Sequence, residues 1–166
     1  GLILDCKSPM LGIIVKEGVD LEKFASIRLE WGVIDYPEGA SYEEGVRNEA
    51  LMVIVFFGYN KISSGHFLIP NAPHFIGFFL GKEEEIGKSY VGSYFRKSGR
   101  YVCLGKPKEG ETIISEYNLV EAFKREFKKD EVPLISGLAL SMDTTKAKNS
   151  GKASAFIKGI DFLGGD

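Results

Sequence analysis

The sequence predicts a mainly β protein: an antiparallel β-sandwich with one amphipathic helix at about 117–129. Three observations predict it. Short apolar runs recur between polar breaks, most of them about five to nine residues, which is strand length. The chain carries 20 glycines and 12 phenylalanines, a composition suited to pleated surfaces punctuated by tight turns. One segment alone departs from strand patterning and takes a helical period.

The elements follow in order. The chain begins on Gly1-Leu2-Ile3-Leu4, already strand-like, and a first apolar run is LGIIV, 11–15. The stretch VDLEKF, 19–24, suggests a short helical turn. In 26–33, Ile27, Leu29 and Trp31 alternate with Arg28 and Glu30, the pattern of a strand with one buried face. PEGASYEEGVRN, 37–48, reads as a long polar loop. LMVIVFFG, 51–58, is apolar on both faces and predicts a central strand covered twice. A second loop is expected over 59–73, then strands at 74–81, 100–105 and 111–115. In EYNLVEAFKREFKKD, Leu119, Val120, Phe123 and Phe127 fall on one helical face. Asn118 is placed to cap that helix, Glu121 completes a capping-box pattern, and Lys128 and Lys129 suit its C-terminal end. Pro133 closes the helix, and two final strands are expected at 134–142 and 153–163.

At 166 residues the chain suits one domain with a sizeable core. A net charge of −2 provides no global field for nucleic acid, and no nucleic-acid partner is expected. The longest apolar run, ALMVIVFFG, falls short of the ~20 residues of a membrane-spanning helix. No signal peptide is visible. The two cysteines, Cys6 and Cys103, are compatible with a bridge or with two buried thiols. Two histidines and two cysteines without paired spacing predict no zinc site, and no cofactor is expected.

Few residues carry chemistry on their own. His66 and His74 flank a Pro-rich loop without a marked nucleophile or orienting carboxylate. The KEEEIGK run, 82–88, reads as solvated charge or as a weak cation site. Glu49 and Asp143 are candidate carboxylates for polysaccharide cleavage, although nothing in their spacing pairs them. Aromatic and basic residues interleave from Tyr90 to Tyr101, a pattern that suits stacking on sugar rings and equally a sheet with one core face. Trp31, in register with Ile27 and Leu29, reads as core or as a sugar-stacking platform.

The order of these segments resembles an uncharacterised bacterial domain family found mainly in exported proteins. The resemblance rests on LEWGVIDYPEGASYEEGVRNEALMVIVFFG, then RYVCLG leading into NLVEAFKREF, then VPLISGLALSMDTTKAKNSGKASAFIKGIDF. It spans about Leu4 to Phe162. In that family a Trp-rich strand precedes a loop ending in paired acids. Here Trp31 keeps one aromatic and Leu29 replaces the other, while Asn48 and Glu49 occupy the acid pair. The closing loop keeps Asp143, Thr144 and Thr145 but carries Lys146 and Lys148 where acids would favour a cation. The resemblance implies a jelly-roll-like sandwich similar to carbohydrate-binding modules, a periplasmic or secreted location, and an additional N-terminal strand or so ahead of this chain. It implies no activity.

The expected function is therefore a non-catalytic sandwich binding a saccharide or similar polar ligand. Its ligand face is expected to use Trp31, Glu49, Tyr94, Arg100 and Asp143. A polysaccharide hydrolase or lyase, and a protein-interaction module of an envelope assembly, are the alternatives.

Overall fold

A computed structural model describes residues 1–165 and shows a two-layer sandwich. Its strands are β1 (Leu2–Cys6), β2 (Leu11–Leu21), β3 (Ser26–Asp35), β4 (Glu49–Ile62), β5 (Ala72–Leu80), β6 (Ser89–Tyr90), β7 (Gly99–Gly105), β8 (Ile113–Asn118), β9 (Ile135–Asp143) and β10 (Ala153–Leu163), with helix α1 (Leu119–Phe127) after β8. One sheet has the order β1-β10-β3-β8 and the other β2-β9-β4-β5-β7-β6. Pairing is antiparallel except between β5 and β7, which run parallel. The intervening segment contains β6, which pairs with the far edge of β7.

The alternation in β3 sets the inner face. Ile27, Leu29, Trp31 and Val33 are fully buried against Leu51, Val53, Val55 and Phe57 of β4. Arg28 points outward, flanked by Glu116 at 3.7 Å and Asp161 at 3.9 Å on the neighbouring strands. These pairs are exposed and contribute little. β4 is covered on both faces, as its unbroken apolar run requires. Met52 and Ile54 form a second, smaller core outside the six-stranded sheet with Phe75, Phe79 and Cys103. Tyr42, Tyr90, Phe95 and Tyr101 pack over this second core.

Helix α1 lies inside its expected span. Asn118 takes an extended conformation and its Oδ1 accepts from the Glu121 backbone N–H at 3.0 Å. Lys128 ends the helix in the left-handed region, at φ 52°. Phe123 is buried against Phe57 and Phe127, with ring centroids 4.9 and 5.0 Å apart. Loss of the cap leaves a helix N–H without its partner, so Asn118→Ala is expected to lower unfolding stability by about 1 kcal/mol in denaturant titration.

Two expectations are corrected. No helical turn forms at 19–24. β2 instead runs to Leu21, its pairing with β9 interrupted between Glu17 and Leu21, where Gly18 and Asp20 take positive φ. The second loop is shorter than 59–73, because β4 and β5 extend into both its ends. The cysteines follow the second of their two readings, as free buried thiols. Cys6 belongs to the core between the sheets and Cys103 to the outer core, so the six-stranded sheet lies between their clusters. No described helix is long and apolar enough to cross a membrane.

Candidate functional site

The five expected ligand residues fall in four places. Trp31 is sealed in the inner core, where its Nε1 donates to Ser115 Oγ at 3.0 Å and that hydroxyl donates to the Leu104 carbonyl at 3.0 Å. It is a core residue and has no face to offer a sugar. Arg100 secures the end of α1: its Nη1 donates to the Arg96 and Gly99 carbonyls, and its guanidinium lies 5.2 Å from the Phe127 ring centroid. Tyr94 stands on an exposed loop. Only Glu49 and Asp143 meet, directly opposite each other where β4 and β9 pair.

That pairing depends on a bulge. Three steps along β4, from Glu49 to Met52, match two along β9, from Asp143 to Ser141. The extra residue turns Glu49 to the same outer face as Met52. There the loop 36–48 covers it. Tyr42 Oη donates to Glu49 Oε2 at 2.8 Å, and the Tyr42 ring stacks on Phe79 at 4.1 Å. Burial pushes the Glu49 carboxyl up to about 8, with Asp143 adding to the rise and the Tyr42 hydrogen bond opposing it. Burial, followed by the charge of Glu49, also raises the Tyr42 phenol well above its ordinary value.

Asp143 works on the backbone. Its Oδ1 accepts from Thr145 N at 3.1 Å, Thr145 Oγ1 at 2.7 Å and Asn48 Nδ2 at 3.3 Å. Asn48 Oδ1 in turn accepts from Lys146 N at 2.9 Å. Buried Thr144 ties the same loop to the β1–β2 turn, accepting from Met10 N and donating to the Ser8 carbonyl. The cavity beside Glu49 holds about 10 Å³, bounded in part by Tyr36, Asn48, Phe79 and Glu84. That is room for about one water molecule and not for a sugar ring. The pair is a latch holding two loops to the end of the sheet.

Glu84 was invisible in the acidic run. Its neighbours Glu83 and Glu85 are exposed, but Glu84 is buried and accepts from the backbone N–H groups of Tyr42 and Glu83, each at 3.1 Å. Gly81 makes room for it: a Cβ there would lie 2.2 Å from Glu84 Oε2. Of the histidines, His74 packs against Phe123 and Phe127, and burial lowers its pKa. Among the described residues, no three of His, Cys, Asp or Glu come together to hold a metal ion.

Two exposed aromatic residues, Phe67 and Tyr94, meet elsewhere, where loop 63–71 approaches loop 91–98. Phe67 is 91% exposed, and its ring stacks on His66 with centroids 5.1 Å apart and planes 15° apart. Tyr94 meets His66 edge-on at 5.5 Å. Hydrogen bonds fix the loop beneath. Ser64 N donates to Asn71 Oδ1, Ser64 Oγ to the Ile69 carbonyl, and Phe95 N to the Ser64 carbonyl. Phe95 takes φ 57° and seats its ring against Phe75, so Tyr94 and Arg96 on either side stay exposed. An aromatic residue held in the left-handed region is locally strained and needs such support. An open groove of about 580 Å³ runs along His66, Phe67, Ile69 and Asn71. Sequence patterning pointed to Tyr94 but not to Phe67, because the three-residue apolar run Phe67–Ile69 is too short to show a period.

The fold and this surface define a two-sheet β-sandwich bearing an exposed aromatic loop cluster. Comparisons with protein-family models, with curated proteins and with solved structures found no match.

Proposed function

We propose that the protein is a non-catalytic binding module that takes a saccharide on the loop cluster of His66, Phe67 and Tyr94. The observation that carries this reading is the exposed Phe67 ring stacked beside His66, with Tyr94 edge-on to the same imidazole. A flat, exposed ring offers an apolar face to the C–H face of a sugar. Exposed Ser63 and Asn71 line the groove beside it and offer polar groups to the hydroxyls, and Ser93 and Arg96 are exposed on the loop that carries Tyr94. The buried Glu49–Asp143 latch gives no comparable support to polysaccharide cleavage, since its cavity admits no substrate. An extracytoplasmic location, implied by the family likeness, belongs to the same proposal.

A panel of mono- and oligosaccharides screened by calorimetry is expected to give at least one ligand. Phe67→Ala and Tyr94→Ala are each expected to weaken it by roughly tenfold or more, the loss typical of a central aromatic contact. Both side chains are exposed, so melting temperatures should stay near wild type. No response to any saccharide would sink the reading.

A further inference from the structure

We propose that the chain forms a two-fold dimer by antiparallel pairing of β2 with β2 of a second copy, centred on Ile14. β2 is the terminal strand of the six-stranded sheet, and β1 terminates the other sheet beside it, across the short turn Lys7–Met10. The free edge of β2 is unguarded over its first half. From Leu11 to Val15 it carries no charge, proline or bulge, the devices that keep sheet edges from pairing. Its side chains are exposed on both faces of the sheet. Leu11, Ile13 and Val15 share the outer face with Ala139 and Asp143, and Ile14 lies on the inner face opposite Leu140. Leu11 is 67% exposed and Ile14 61%.

An inner-face isoleucine exposed to that degree means the sandwich is open at this margin. Leu2 on β1 faces inward opposite Ile157 and is also exposed. With inward-facing Leu2 added to the four residues of β2, the exposed apolar surface around this margin is on the order of 500 Å². That lies in the upper part of the range for a monomer's largest patch, and the polar backbone edge adds to it toward the roughly 800 Å² of total surface per partner of a stable interface. The unsatisfied N–H and C=O groups of the edge specify that the occupant is a strand.

The register follows from symmetry. Residues opposite each other across an antiparallel pair point to the same face, so a two-fold axis normal to the sheet needs one residue facing its own copy. The regularly paired part of β2 is Leu11–Glu17, ended by the bulge, and its centre is Ile14. This register sets Ile13 opposite Val15, Gly12 opposite Lys16 and Leu11 opposite Glu17, with no like charges opposed. Moving the centre to Lys16 or Glu17 would oppose each charge to itself.

Sedimentation velocity of the full chain at about 100 µM should show a dimer, and Ile14→Lys should be monomeric with an unchanged circular dichroism spectrum. Ile14→Cys should cross-link to itself under mild oxidation, because directly opposed Cα atoms lie about 4.5–5.5 Å apart, within disulfide reach. Glu17→Cys should not, as its copies would lie roughly 20 Å apart. Cys6 and Cys103 are buried and leave this readout clear. A monomeric wild type would overturn the proposal and assign the edge to another partner or to a further strand of the same protein. A dimer that survives Ile14→Lys, or Glu17→Cys cross-linking as readily as Ile14→Cys, would overturn it as well.

Discussion

Trp31→Ala is expected to lower unfolding stability by about 3–5 kcal/mol, the largest loss from any single truncation proposed for this chain. Trp31 is fully buried among the largest side chains of the inner core, and its removal leaves a cavity that the β3 and β4 neighbours cannot fill without shifting. It also removes the donor to Ser115, whose hydroxyl keeps its bond to Leu104. Against a total stability of about 5–15 kcal/mol for a domain of this kind, such a loss shifts the denaturant midpoint substantially. Trp31→Phe refills most of the space and is expected to recover more than half of the deficit. Because Trp31 is the only tryptophan, its fluorescence gives a second readout. The native emission should be blue-shifted and little quenched by acrylamide. Saccharides should leave it unchanged, since the residue is walled off from solvent. Strong quenching by a bound sugar would place a binding face where the fold has its core.

The second large effect depends on pH. Glu49 has a folded pKa raised to about 8 and an unfolded pKa near that of an ordinary glutamate, about 4.3. Between those values the folded chain holds a proton that the unfolded chain has released. Stability contributed by this group is therefore full below about pH 4.3 and is lost as pH rises through about 8. Glu49→Gln keeps an acceptor for Tyr42 and cannot ionise. Relative to wild type, the glutamine variant is expected to gain stability from pH 5 to about pH 8 and then level off, by a few kcal/mol at the alkaline end. Chemical denaturation of both proteins across that range measures the difference. A difference that stays flat with pH would show that Glu49 is not buried as an acid under Tyr42.

How much of this was legible depended on how local the cause was. The alternation of Ile27, Leu29 and Trp31 and the Asn118 cap are set by neighbours a few residues apart, and both appear in the structure as read. The apolar run of β4 foretold its double burial because no other arrangement hides both faces. Non-local geometry was not readable. The parallel β5–β7 pair depends on which strand returns beside which, and strand patterning has no sign for direction. The bulge that turns Glu49 to face Asp143 adds one residue in an apolar run, where it leaves no mark. LGIIV has the same composition as a core strand, yet it lies on an open edge. Apolarity states a need for cover and not which element supplies it. The site residues divide in the same way: Trp31 already shared the register of the core, whereas Phe67 became a candidate only once His66 was seen beneath it.

The central claim is that ligand meets the protein on the aromatic loops and not at the carboxylate latch. Amide chemical shifts of isotopically labelled protein, followed during titration with the best saccharide of the panel, test it most directly. The expected result is that the largest changes fall within 64–69 and 94–97, the backbone around Phe67 and Tyr94. Changes centred on Asn48, Glu49 and Asp143–Lys148 would contradict it.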